Sequence, residues 1–147
     1  MLRILTPLAL VVLMGAQAQT FAGVHASIFS GLHLGYNDSE WGVRLGALPG
    51  GSGGIYEAQA YYRLETGANR SAWYFGLGTT YFADREFYEL FLRALVGYEW
   101  RLAPGFGAFI EYGPGVSVAS RRPPPTTINL LPLGALLRLD LGLSLYF

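Results

Sequence analysis

Leu133 to Phe147 reads LGALLRLDLGLSLYF. Leu133, Ala135, Leu137, Leu139, Leu141, Leu143, Leu145 and Phe147 fall on one parity. Gly134, Leu136, Arg138, Asp140, Gly142, Ser144 and Tyr146 fall on the other. Successive side chains of a β-strand point to opposite faces, so this segment is a strand with one greasy face and one face carrying glycine and charge. A helical period of 3.6 does not fit it.

The same alternation runs upstream. Tyr88, Leu90, Leu92, Ala94, Val96, Tyr98 and Trp100 oppose Glu89, Phe91, Arg93, Leu95, Gly97, Glu99 and Arg101. Trp73, Phe75, Leu77, Thr79 and Tyr81 oppose Tyr74, Gly76, Gly78, Thr80 and Phe82. Ile55 to Glu65 places Tyr56, Ala58, Ala60, Tyr62 and Leu64 against Glu57, Gln59, Tyr61, Arg63 and Glu65, and Trp41 to Ala47 places Trp41, Val43 and Leu45 against Gly42, Arg44 and Gly46. The first strand is expected to run unbroken from Val24 to Tyr36, with Val24, Leu32 and Leu34 on one face and His25, Ser27 and His33 on the other. Asn37-Asp38-Ser39, Pro49 to Gly54, Thr66 to Arg70, Ala83 to Glu86 and Ala103-Pro104-Gly105 carry turn chemistry between them.

A sixth strand opens at Phe106, and the stretch from Gly113 to Gly134 admits two readings. Either Gly113-Pro114-Gly115 is a tight turn and Val116–Ser120 a short seventh strand, or strand six continues to Ala119 and Ile128–Leu131 is the seventh. Both give eight strands, an even number that returns both chain ends to one side.

Charge placement separates a membrane barrel from a soluble one. Arg3 precedes the strands, and Asp38, Glu40, Arg70, Asp84, Arg85, Glu86, Arg121 and Arg122 lie in turns or strand ends. The other eleven charges are Arg44, Glu57, Arg63, Glu65, Glu89, Arg93, Glu99, Arg101, Glu111, Arg138 and Asp140, each on the face opposite the Leu/Val/Tyr/Trp face of its strand. In a soluble sandwich or lipocalin the apolar face is the core and the polar face meets water. Here the polar face is rich in glycine and nearly charge-balanced, as a narrow barrel interior requires. Arginine suits such an interior because its planar fork bonds a carboxylate at two points. A charge on the lipid face would cost about 2–4 kcal/mol at the bilayer midplane, which predicts its exclusion from that face.

Aromatic residues of the apolar face gather near strand ends: Tyr36, Trp41, Tyr56, Tyr62, Trp73, Tyr81, Tyr88, Trp100, Tyr112 and Phe147. Tyrosine and tryptophan favour the two membrane–water interfaces. Trp73 to Tyr81 covers about 27 Å of strand at ~3.3 Å per residue. Tilted by ~40°, this is roughly 20 Å, close to the ~25 Å apolar band of an outer-membrane barrel.

The amino-terminal residues read as an export signal. Met1-Leu2-Arg3 is a short basic start, Ile4 to Met14 is apolar, and Ala16-Gln17-Ala18 is a small-x-small cleavage pattern. The apolar run is about half the ~20 residues of a spanning helix. Residues 1–18 are therefore expected to be a removed signal peptide, leaving a single barrel domain over 19–147. The chain of 147 residues has 52% hydrophobic, 15% aromatic and only 14% charged residues, against about 25% charged in soluble domains. Its formal net charge of zero points to no nucleic-acid partner. It has no cysteine, which excludes disulfides, zinc–thiolate sites and cysteine nucleophiles.

Together these features resemble the small outer-membrane β-barrel proteins of the porin-like superfamily, of the eight-stranded OmpA/OmpX type. Gly97-Tyr98-Glu99-Trp100-Arg101-Leu102 with Pro104-Gly105, and the final strand Leu139 to Phe147, carry the resemblance most closely. It implies an all-β, antiparallel, up-and-down transmembrane β-barrel, inserted by the barrel-assembly machinery after secretion, with both termini periplasmic and the C-terminal aromatic Phe147 as the assembly signal. The external connections are shorter than in relatives that use long loops for adhesion.

Candidate chemistry is sparse. His25-Ala26-Ser27 places a histidine and a serine on one face, like the His-x-Ser of lipid A deacylases, but early in the chain and without that family's other residues. Two polar interior residues are the plainer reading. The six interior acids read as ion-pair partners rather than an acid–base pair. His25 and His33, eight positions apart on one continuous strand, would lie about 26 Å apart, too far to share a metal. Gly46 to Gly54 lacks the lysine of a phosphate loop. No catalytic residue, metal site or cofactor is expected. The expected function is a structural or interaction role in the outer membrane, as a monomer in lipid, with the interior filled by side chains. The alternatives are a barrel handling a small ligand or passing ions weakly, a barrel lipid-modifying enzyme, and a soluble lipocalin-like barrel.

Overall fold

The computed structural model describes residues 19–27, 31–51, 53–66, 69–121 and 138–147. The expected signal peptide, residues 1–18, lies outside them. Strands β1 (Gln19–Ala26), β2 (Gly31–Asn37), β3 (Trp41–Pro49), β4 (Gly54–Thr66), β5 (Ser71–Ala83) and β6 (Tyr88–Ala103) are followed by β7 in two halves, β7a (Phe106–Tyr112) and β7b (Gly115–Arg121), and by β8 (Leu139–Tyr146). Each strand pairs antiparallel with its sequence neighbours, and β8 returns to β1 through Phe21↔Tyr146 to Ala26↔Leu141. The sheet is thus a closed eight-stranded up-and-down barrel. Closure removes the open sheet edge that hydrocarbon does not tolerate.

Eight strands are reached by a different division of the sequence from the one expected. The run from Val24 to Tyr36 is not one strand. It folds into the β1–β2 hairpin, with Val24 opposite Leu32 and His25 opposite Gly31. These partners match even to even and odd to odd, so the alternation passes through the turn undisturbed. Period-two patterning alone therefore cannot detect that turn.

Gly113-Pro114-Gly115 is likewise not a tight turn. Val96 pairs with Tyr112 in β7a and Arg93 with Gly115 in β7b, and both pairs have residue numbers summing to 208 (96 + 112 and 93 + 115). The register is therefore the same on both sides, and β7 is one strand interrupted where Pro114 has no N–H to give. The Pro114 carbonyl still accepts from Ala94 N–H at 3.2 Å. Val116–Ser120 is the continuation of strand six, the second of the two readings, rather than a separate strand. The expected strand at Ile128–Leu131, and the Leu133–Leu137 part of the last strand, lie outside the described residues.

The strands are tilted. One hydrogen-bonded row runs Gln19, Asn37, Gly42, Tyr61, Gly76, Leu95. One strand further on, Gly113 N–H bonds Arg138 C=O at 3.0 Å. The row thus starts at the end of the barrel where β1 begins and β8 finishes, the terminal end, and climbs to the far end, as closure with a staggered register demands. Connections at the terminal end are short, residues 38–40, 67–70 and 104–105.

Alternation fixes which residues face in. Among the described residues, 27 large apolar side chains stand exposed on the outside, including Leu34, Leu77, Leu141 and Leu143. Trp41–Tyr62 and Trp73–Tyr98–Trp100 form ring clusters toward the terminal end, and Tyr81–Tyr88 a pair toward the other. The inside holds arginines, acids and a middle layer of rings. Four of those rings face a glycine directly across the ladder: Phe21 and Gly35, Tyr61 and Gly42, Tyr74 and Gly97, Phe109 and Gly142. A Cβ at Gly97 or Gly142 would overlap the partner ring. Glycine thus makes the space that lets each ring lie flat against the wall.

Candidate functional site

The interior is built from three layers. Toward the far end, three arginines meet three acids. Arg93 sits on β6, where the inward parity of the strand sends it to the barrel axis. Its Nη2 lies 3.2 Å from Glu111 of β7a and 3.1 Å from Asp140 of β8, and its Nη1 3.7 Å from Glu57 of β4. Its Nε donates to the Gly113 carbonyl at 3.0 Å. Arg138 bonds Asp140 at 2.8 Å, pairs with Glu57, and donates to Thr80 at 3.1 Å. Arg44 of β3 reaches Glu111 at 3.1 Å. Glu111 also accepts from Gln59 at 3.0 Å and Tyr74 at 3.1 Å.

The middle layer is aromatic. The Arg44 guanidinium lies 4.1 Å from the centre of the Phe109 ring, and the Tyr61 hydroxyl donates to Asn37 at 2.6 Å. Tyr61 and Tyr74 pack 5.0 Å apart. Toward the terminal end, Arg70, Glu65, Arg63, Glu99 and Arg101 form an alternating chain. Its successive separations are 3.2, 3.3, 3.6 and 2.7 Å. Arg101 also donates to Gln19 at 2.8 Å and lies over the Tyr146 ring at 3.3 Å.

The structure therefore divides the eleven sequence-derived charges. Arg44, Glu57, Arg93, Glu111, Arg138 and Asp140 come together in the far-end cluster. Arg63, Glu65, Glu99 and Arg101 join the other, with Glu65 at the rim rather than inside, its side chain 27% exposed. Glu89 is fully buried opposite Phe82, beyond the far-end cluster. Arg70, read from sequence as a loop residue, extends the terminal chain. Gln59, Asn37, Tyr61 and Tyr74 take part as neutral partners; inward parity marked Gln59, Tyr61 and Tyr74 in the sequence, whereas Asn37 was read as a turn residue and is the inward end of β2.

The antiparallel pairing of β1 with β2 overturns one further expectation. His25 and His33 are not about 26 Å apart: their rings stack at 5.8 Å between centres. His33 Nε2 lies 3.0 Å from Ser144 Oγ, and His25 Nε2 3.6 Å from Glu57. Ser27 bonds Asp140. Among the described residues no group of three or more His, Asp or Glu side chains is placed to hold a metal.

No protein-family model matches the chain, and no curated protein matches it. Among solved structures, it is similar to the N-terminal β-barrel domain of Pseudomonas aeruginosa OprF, with a TM-score of 0.51 and 14% identity, covering 91% of this chain and all of that one. The likeness is one of fold: a closed, eight-stranded antiparallel β-barrel.

Proposed function

We propose that this chain is an exported outer-membrane protein whose barrel is a closed, plugged wall element with a structural or interaction role, rather than an enzyme or an open pore. The observation that carries this reading is the inverted distribution of side chains. Leucine, valine, tyrosine and tryptophan cover the outside, while arginines and acids are buried inside. Water would penalise that outside surface, and a bilayer would reward it. The interior supports the plug: an eight-stranded barrel is just wide enough for side chains to fill it, and two ion-paired layers with rings between them occupy this one. Secretion, delivery to the barrel-assembly machinery through the Phe147 end, a periplasmic position for both termini and a monomeric state in lipid all belong to this proposal.

The test is fractionation with gel mobility. The protein should leave membranes only with detergent, and the unheated sample should migrate differently from the boiled one. Recovery in the soluble fraction without detergent would refute the membrane reading. Planar-bilayer recording should show no sustained conductance. A steady open current would transfer the protein to the ion-conducting class.

A further inference from the structure

At the mouth of the terminal end, a cavity of about 470 Å³ lies between Asn69–Arg70 and the β6–β7 turn. Arg70 and Arg101 line it, with Gln19, Asn69 and Leu102. These two arginines are the two ends of the five-membered chain Arg70–Glu65–Arg63–Glu99–Arg101. The chain holds three cations and two anions, and the arginines at both of its ends line the same cavity. The acids of the neighbouring turn do not line it: Asp38 is turned onto the Glu40 and Trp41 N–H groups at 2.7 and 2.6 Å, and Glu40 lies beside it in that exposed turn.

Two further observations mark the site. Arg101 is 9% exposed, and its buried Nη2 has no hydrogen-bond partner. A guanidinium nitrogen left so is a donor without an acceptor. Arg70 is the single non-glycine residue with positive φ among the described residues, at 62°. Arginine is disfavoured in the left-handed region, where Gly and Asn are at home. Such strain is kept where the side chain is needed in that place.

We propose that this cavity is a binding site for a phosphate-bearing anion, held by Arg70 and Arg101. Its volume suits a small molecule or a headgroup. The guanidinium fork matches phosphate geometry. Leu102 points outward and is 61% exposed, so the cavity spans the polar mouth and the edge of the greasy wall. A lipid headgroup and a free phosphate share the same recognition chemistry here. The inference rests on the membrane reading only for the ligand's source, since the charge and the cavity belong to the fold.

The experiment is calorimetric titration of the full chain in a nonionic detergent. The probes are inorganic phosphate, short-chain phosphatidylglycerol and, as a zwitterionic reference, short-chain phosphatidylcholine. The wild type is expected to bind phosphatidylglycerol, inorganic phosphate or both. Binding of phosphatidylglycerol alone identifies a lipid headgroup, and equal binding of inorganic phosphate identifies a free anion. Arg70→Asn removes one fork and suits the backbone at φ 62°, so it should fold and bind about tenfold more weakly. Arg85→Asn, in the turn at the opposite mouth, should bind as the wild type does. The inference is overturned by failure of every phosphate probe to bind, by equal binding of phosphatidylcholine, or by unchanged affinity in Arg70→Asn. The heat-dependent gel shift, run on the same samples, reports separately on whether the barrel itself is intact.

Discussion

Arg93→Met is the most informative single change to the interior. Arg93 is 2% exposed and serves three carboxylates and one carbonyl. Methionine keeps much of the aliphatic stem and removes every one of those interactions. Glu111, with no exposed surface, would keep Arg44, Gln59 and Tyr74, while Asp140 and Glu57 would keep Arg138. No carboxylate is left entirely alone, but the cluster falls from three cations against three anions to two against three. Removing one partner of a buried pair costs about 3–5 kcal/mol, and the remaining partners place this change near the lower end, at about 3 kcal/mol. Adding Glu111→Gln restores two against two. The double variant should therefore be more stable than the sum of the single losses by about 1–3 kcal/mol. The assay is equilibrium urea unfolding in detergent micelles or short-chain lipid vesicles, read by the fluorescence of Trp41, Trp73 and Trp100, all of which stand on the outer face. A single variant within about 0.5 kcal/mol of the wild type, or a strictly additive double, would refute the reasoning that these charges act as one buried network.

Other substitutions test the faces, the packing and the assembly signal. Leu143→Arg, in the middle of the outer face of β8, should cost about 2–4 kcal/mol in a bilayer, whereas Leu102→Arg, near the rim, should cost about 0–1 kcal/mol; equal and negligible costs measured by refolding into vesicles would mean the outer face meets water. Gly97→Ala should lose about 1–3 kcal/mol in the same unfolding assay, because the new Cβ meets the Tyr74 ring and the Ile110 carbonyl, and the loss should be smaller when Gly97→Ala is made in a Tyr74→Ala background. Deleting Phe147 should lower the amount of assembled barrel in cells while leaving refolding into detergent unchanged. A matching defect in both would show that Phe147 acts through stability, for its N–H also bonds the Thr20 carbonyl at 3.0 Å.

What was legible in the sequence is whatever the pleat makes local. Side-chain direction depends only on position along a strand, so parity alone assigned Arg44, Arg93, Glu111 and Asp140 to one face and Leu141 and Leu143 to the other. The outward aromatics and the glycines opposite them followed from the same rule. The size of the barrel was legible too, although the first two strands were read as one. A hairpin whose pairing matches odd with odd leaves no trace in a period-two pattern, and a proline that interrupts the ladder without shifting its register reads equally as a turn or as a continuous strand, of which the continuous strand is formed.

Only the tertiary structure decided which inward residues meet. Arg93 finds Glu57, Glu111 and Asp140 on three other strands. Which residues share a level depends on strand tilt and register summed around the whole barrel, and no single segment contains that sum. The histidines make the same point at shorter range: the sequence counts eight positions between His25 and His33, and one turn between them turns that distance into a ring stack. The alternation that closes the chain at Leu133–Phe147 thus determined inside and outside by itself, because each peptide alternates its own side chains. The partners inside were settled by closure, because only a closed sheet brings distant strands to one axis.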